Sequence, residues 1–314
     1  MNESEFVHQP VLLRQAVEAL RPQNGGVYVD GTLGAGGHTR ALLDASKPAG
    51  RVIAFDQDRH AIANAERWRK EYGDRLLLIH DNFRTVQTRL AAMGIKTVDG
   101  MVFDLGVSSP QLDEAERGFS YNNDALLDMR MDHRQDRSAA TLLGSLSERE
   151  LTVMLRQYGE EKWASRIASF IVSERANRAI TTTGQLVDLI KAAVPAAARR
   201  TGPHPAKRVF QALRIAVNDE LGALEELLEQ IPACLRGSAR AAVITFHSLE
   251  DRLVKQRFAL HARDCVCPPK TPRCTCGHRA TMRVITRKPI LPDERELADN
   301  ARARSAKLRV AERL

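Results

Sequence analysis

Over residues 27–104, short apolar runs alternate with amphipathic segments. Residues 27–30, 52–56, 76–79 and 101–104 read as strands, while the segments beginning at Thr39, Arg59 and Arg84 repeat apolar positions at helical spacing. The spacing predicts helices over 59–72 and 84–93. Strands that are apolar throughout and alternate with helices predict an α/β fold, a Rossmann-like doubly wound parallel sheet covered on both faces. After Leu112 the alternation stops. Helical patterns then run over 147–158, 160–176 and 185–194, the first opened by a capping box, Ser147-x-x-Glu150. The next strand is 241–246, so 113–205 is expected to be a helical insertion domain in a discontinuous core of 1–112 and 206–314. Phe210, Leu213, Val217, Leu221, Leu224, Leu228 and Ile231 form one stripe, predicting a single core helix that ends at Pro232. Ser248 and Asp251 have capping-box spacing at the start of a further helix, beside a His247 that could line a pocket or be structural. Segments 282–286 and 307–311 are candidates for antiparallel closing strands.

Chemistry gathers where the predicted strands end. The first runs into Asp30-Gly-Thr-Leu-Gly34-Ala-Gly36-Gly37-His38-Thr39, and the second ends in Asp56. A glycine-dense turn between strand and helix lets backbone approach a ligand, and an acid at the tip of the second strand suits a ribose diol. A dinucleotide site needs GxGxxG, whose third glycine is missing here, which argues against a nicotinamide oxidoreductase. The order acid, Gly, two residues, Gly, one residue, Gly resembles the first motif of S-adenosylmethionine-dependent methyltransferases. The third strand ends in His80-Asp-Asn-Phe83, where Phe83 can stack on an adenine or serve as core. The fourth ends in Asp104-Leu-Gly-Val-Ser-Ser109-Pro110-Gln111. Its Ser-Pro-Gln is reminiscent of the SPP-type loop of amino-group methyltransferases, and is otherwise an ordinary Ser-Pro turn.

Charge narrows the partner. The chain has 314 residues and a net charge of +8, and ten Lys or Arg lie between Arg252 and Lys288 against one acid, Asp264. Arg199, Arg200, Lys207, Arg208 and Arg214 form a second cluster. Two basic clusters flanking the core suit phosphate contacts. With no basic n-region followed by an apolar run at the start, and no apolar run of membrane-spanning length, a cytoplasmic protein without a membrane partner is expected. Cys265, Cys267, Cys274 and Cys276 could hold a structural zinc. Paired zinc ligands more often lie two to four residues apart, so the favoured reading is a reduced, basic hairpin with no metal.

Together, His8-Gln-Pro-Val-Leu-Leu, residues 30–39, Asp104-Leu-Gly-Val-Ser-Ser-Pro-Gln-Leu-Asp, Arg117-Gly-Phe-Ser, Leu127-Asp-Met-Arg-Met-Asp and Phe246-His-Ser-Leu-Glu-Asp-Arg252 resemble the RsmH (MraW) family. The resemblance implies a class I methyltransferase sheet and S-adenosylmethionine as methyl donor. It implies 16S rRNA as partner, within the small ribosomal subunit, and as target the N4 of a decoding-centre cytidine. Gly36, Gly37, His38, Asp56, Phe83, Asp104 and Gln111 carry over as cofactor residues. A cytosine amino nitrogen is a weak nucleophile because its lone pair is delocalised, so acceptors for its two hydrogens are needed. Asp104, Ser109 and Pro110 are the expected catalytic set, with Asp104 alternatively holding the methionine amino group. No metal is needed for that chemistry, and the base must first be unstacked. The segment Asp124-Ala-Leu-Leu-Asp128 departs from the family's Asp-Gly-Pro-Leu-Asp. The alternative is a non-catalytic ribosomal RNA-binding or assembly protein on the same fold.

Overall fold

The computed structural model describes residues 10–200, 204–268, 271 and 273–314. Their strands are β1 (Val27–Asp30), β2 (Arg51–Asp56), β3 (Leu76–His80), β4 (Val98–Asp104), β5 (Leu235–Thr245), β6 (Met282–Val284) and β7 (Lys307–Arg313). They form one sheet in the order β3-β2-β1-β4-β5-β7-β6. The first five strands are parallel, with Val29 between Ile53 and Met101, and β7 runs antiparallel to both β5 and β6. The chain moves outward from β1 to β3 and then returns to lay β4 on the other side of β1. Such a reversal opens a crevice at the carboxyl ends of β1 and β4, where ligands of open α/β sheets bind. Asp30 and Asp104 are the last residues of those strands.

The strands lack polar alternation because both faces are covered. Val29, Ile53, Phe55, Met101 and Phe103 pack with Leu224, Leu227, Leu228, Ile231 and Phe258 on one face. Tyr28, Val52, Ala54 and Val102 pack with Leu12, Leu20, Leu42, Leu43 and Trp68 on the other. No helix among the described residues is long and apolar enough to cross a membrane.

The chain divides into two compact units. One comprises residues 1–106 and 221–314, which contain the sheet, and the other is Val107–Glu220. The expected boundaries at 112/113 and 205/206 thus fall at 106/107 and 220/221, chiefly because the predicted long helix is two helices. Ala206–Asn218 ends at Asp219, whose φ of 49° is left-handed, and Glu220–Cys234 follows. Phe210, Leu213 and Val217 join the core of the helical unit, whereas Leu224, Leu228 and Ile231 cover the sheet. Nor does Pro232 end the second helix; it sits inside it. A proline leaves the carbonyl four residues earlier without its helical donor, and the Leu228 carbonyl lies 3.1 Å from Nε2 of His261.

In the helical unit, Glu148–Gly159, Ala164–Arg175 and Thr183–Ala193 match the three predicted helices to within a few residues, and the Ser147–Glu150 capping box is formed. Gly159 is dictated by packing: a Cβ there would lie 2.6 Å from the Arg208 carbonyl. Buried Asn218 braces the Asp128–Asp132 segment, accepting from the Met131 N–H and donating to the Met129 carbonyl, both at 2.8 Å. Met129 is thereby held at a left-handed φ of 61°.

Candidate functional site

The acid at each strand tip has a distinct environment. Asp30 is buried and accepts from the Thr32 N–H (3.1 Å) and the Thr39 hydroxyl (2.6 Å), so its carboxylate ties the strand end to the helix Gly37–Ala45. Asp56 accepts from the N–H groups of Gly34 and Asp58, each at 2.8 Å, and so clamps the glycine loop from the neighbouring strand. Burial pushes Asp30 up to about 6 and Asp56 up to about 7, against the hydrogen bonds that favour their ionised forms.

Raised carboxyl pKa values mean that the folded protein binds more protons than the unfolded chain, whose aspartates titrate near 3.9. The protein's stability should therefore fall as pH rises from about 4 through about 7, where Asp30 and Asp56 lose their protons. Asp128, Asp251 and Glu312 are lowered by their arginine partners, so they act below that window. Thermal melts from pH 5 to 8 should show a decline that is shallower in Asp56→Asn; identical slopes would refute the assignment.

The glycines of the loop answer to packing. Gly36 has φ 87°, and a Cβ on it would lie 2.3 Å from the Trp68 ring; one on Gly37 would lie 1.9 Å from Pro10. Gly36 is the N-cap of Gly37–Ala45, so His38 is a buried first-turn residue and does not cap that helix. Its Nδ1 lies 3.9 Å from Oδ2 of Asp104. Phe83 opens a 3-10 turn capped by the Asn82 side chain and meets Phe103 edge-on at 6.1 Å, remaining half-buried. The Asn82 amide donates to Oε1 of Gln57 at 2.7 Å, joining the tips of β2 and β3. Gln57 was not foreseen from the sequence. Its only signal is its place immediately after Asp56.

Asp104 differs from the other two acids. Its N–H donates to the Thr32 hydroxyl at 2.6 Å, but the buried Oδ1 has no hydrogen-bond partner among the described residues. Burial, reinforced by Asp30, Glu250 and Glu296, holds its carboxyl well above the usual range. Glu250 is buried and accepts from the Phe246 N–H at 2.8 Å, while Glu296 accepts from the Leu12 N–H at 2.6 Å. A buried carboxylate oxygen without a hydrogen bond, on an acid among other acids, is a costly arrangement that a cation or donor would relieve. Sequence reading missed Glu250 and Glu296, which lie far along the chain from β4. His247 proves to be a helix N-cap: the capping box at Ser248–His261 pairs His247 with Glu250, displacing the predicted Ser248–Asp251 pair. Asp251 instead binds Arg309 at 2.6 Å.

Ser109, Pro110 and Gln111 lie in the other unit, on the short helix Ser109–Asp113. Ser109 is buried, and its hydroxyl has no hydrogen-bond partner among the described residues. Pro110 is exposed, with its carbonyl accepting from the Glu114 N–H at 2.9 Å. The Gln111 carboxamide oxygen accepts from the Ser108 N–H at 3.0 Å, completing a capping box. Within the basic clusters, Arg214 is neutralised by Glu220, and Arg257 pairs with Glu225 and Glu229. Lys207, Arg208, Arg263, Arg273, Arg279, Arg287 and Lys288 are exposed.

The residues fit a small cationic nucleoside-like ligand. A diol can donate to Asp56, an aromatic face is present at Phe83, and positive charge would compensate Asp104. Comparisons with known proteins agree with this chemistry. Ribosomal RNA small subunit methyltransferase H of Paenibacillus sp. (strain JDR-2) is 54% identical to this chain, covering 98% of it and 100% of the relative. Its namesake from Brevibacillus brevis is 53% identical over the full length of both, and that from Geobacter sp. (strain M21) 52% identical over 99% of each. The profile of the MraW methylase family matches residues 5–314, from before β1 to the end of β7, so every strand tip described above falls within the match, and the chain belongs to that family.

Proposed function

We propose that the protein methylates the exocyclic N4 of a cytidine in the decoding centre of 16S rRNA, as an S-adenosylmethionine-dependent enzyme acting in the context of the small ribosomal subunit. The coarser statement, a small-subunit ribosomal RNA methyltransferase, follows from family membership and from relatives of that name. The cytidine itself is carried over from the family resemblance; an amino-group acceptor is supported in this chain by one observation above all, the buried Asp104 Oδ1, without a hydrogen-bond partner among the described residues, at the reversal of strand order.

S-adenosylmethionine, when bound, supplies an electrophilic methyl group on a cationic sulfur. Asp56 would hold the ribose diol, Phe83 the adenine face, and the Gly36-Gly37-His38 turn the body of the ligand. Gln111 would contribute from the helix it caps. Asp104, Ser109 and Pro110 are proposed to orient the acceptor amine. Of the three, Asp104 Oδ1 and the Ser109 hydroxyl are the acceptors that no described residue already uses. A carboxylate and a hydroxyl oxygen that take the two amino hydrogens direct the nitrogen lone pair toward the electrophile. We further propose that the helical unit, with its exposed Lys207 and Arg208, holds the RNA segment from which the base is extruded.

The test is incubation of small ribosomal subunits lacking the modification with the protein and methyl-labelled cofactor, followed by nucleoside analysis. Label in N4-methylcytidine is expected. Label in another nucleoside would refute the target assignment, and binding of the subunit without any transfer would favour a non-catalytic assembly protein.

A further inference from the structure

Between the helix Ser248–His261 and β6 the chain makes an excursion with no helix or strand among its described residues. Its residues are mostly exposed, and Val266, the one large apolar side chain among them, is itself 39% exposed. Hydrophobic burial therefore cannot account for a defined fold here. Its base is tied by the Thr281 N–H to the His261 carbonyl at 2.8 Å and His278 Nδ1 to the Arg263 carbonyl at 2.9 Å, and farther out the Thr271 hydroxyl donates to the Pro268 carbonyl at 2.7 Å.

At its centre the four thiols of Cys265, Cys267, Cys274 and Cys276 converge, with their sulfurs all within 4.8 Å of one another. Cys265 and Cys274 lie 3.5 Å apart, Cys274 and Cys276 3.6 Å, Cys265 and Cys276 3.8 Å, and Cys267 and Cys274 4.0 Å, sulfur to sulfur. All are free thiols, and these separations are far from a disulfide bond of about 2.05 Å. They match the edge of a tetrathiolate site, because four sulfurs at about 2.3 Å from a central zinc lie about 3.8 Å apart. The Val266 N–H points at Cys276 Sγ and the Cys267 N–H at Cys265 Sγ, both at 3.4 Å, an arrangement that stabilises thiolate sulfur. His278 is not part of the set, since its Nδ1 faces the Arg263 carbonyl.

We infer that Cys265, Cys267, Cys274 and Cys276 form a structural zinc site that holds together the basic excursion bearing Arg263, Arg273 and Arg279. The close spacing within each Cys-x-Cys pair disfavours a metal when read from the sequence alone. What carries the inference is the meeting of the two pairs in space. A closed set of four thiolates leaves no open coordination position, so the metal's role is to fix the fold. Each thiol gives up its proton on ligation, so affinity for the metal should weaken in acid.

The full-length protein, purified without added metal and without a metal-affinity step, should contain about one zinc per chain by elemental analysis, as a single closed site requires. The double variant Cys274→Ser/Cys276→Ser should contain almost none. Replacement by cobalt should give the intense visible bands of a tetrahedral thiolate complex. Chelation should speed trypsin cleavage after Arg273 and Arg279 by loosening the backbone around them, while cofactor binding, which uses the strand tips, is retained. Absence of zinc with all four cysteines open to alkylation would overturn the proposal. So would a disulfide among the four in freshly purified protein, or iron in place of zinc.

Discussion

Replacement of Asp104 by asparagine is expected to lower kcat for methyl transfer by about 10²- to 10³-fold, the usual scale for removing one preorganised electrostatic partner from an active site. The same substitution should raise the melting temperature of the ligand-free protein above neutral pH. Asp104 is crowded by Asp30, Glu250 and Glu296, and its carboxyl is held far above its ordinary pKa, so the ionised form is an electrostatic liability until a partner arrives. Asparagine keeps the shape and removes the charge. Loss of activity together with gain of stability is the signature of a residue retained for function. The division of the kinetic effect separates two roles. If Asp104 acts on the target amine, kcat falls and cofactor affinity changes little; if it holds a cationic part of the cofactor, the loss appears chiefly in cofactor KM. An Asp104→Asn enzyme with unchanged kcat and a lowered melting temperature would contradict the proposed catalytic role.

The strands were the most legible part of the chain. The middle of a strand covered on both faces must be apolar, so the polar residue that closes the apolar run marks its end, and Asp30, Asp56 and Asp104 stand at those points. The helical elements were visible for a related reason, since a half-buried helix repeats its apolar face every three to four residues. That same rule misled at residues 206–234. A single left-handed residue between two helices leaves no break in the apolar spacing of the sequence, and the stripe from Phe210 to Ile231 conceals that its halves serve different cores. Pro232 misled because its missing hydrogen bond is compensated from a distant helix, by His261. For the site, local signals revealed the strand-tip acids and the glycine turn. They could not reveal Glu250 or Glu296, which act on Asp104 from segments far along the chain that only the fold brings within electrostatic reach. The cysteines show the same limit. Spacing describes each pair, but coordination depends on the distance between pairs, and that is a property of the folded chain.

Substitution of Gly36 by alanine should be severely damaging in the glycine turn proposed to hold the cofactor. Two costs coincide there. At φ 87° an L-residue with a Cβ is strained, by about 1–2 kcal/mol. The methyl would also lie 2.3 Å from the Trp68 ring, and overpacking of this kind typically costs about 1–3 kcal/mol. Trp68 has little room to yield, being buried, set edge-on to Tyr72 at 5.9 Å and covered by the Arg40 guanidinium at 4.3 Å. The strain should therefore pass into the backbone that carries Gly34 and its bond to Asp56. Equilibrium unfolding is expected to show a loss of about 2–5 kcal/mol, the sum of those two costs. Calorimetry should show weaker S-adenosylmethionine binding even at temperatures where the variant is fully folded. Alanine at Gly73 provides the control: its φ of 56° is also left-handed, but nothing lies within 4 Å of the added methyl. It should incur the backbone cost alone and bind the cofactor normally. Equal losses in the two variants would show that backbone strain, and not contact with Trp68, sets the cost at Gly36.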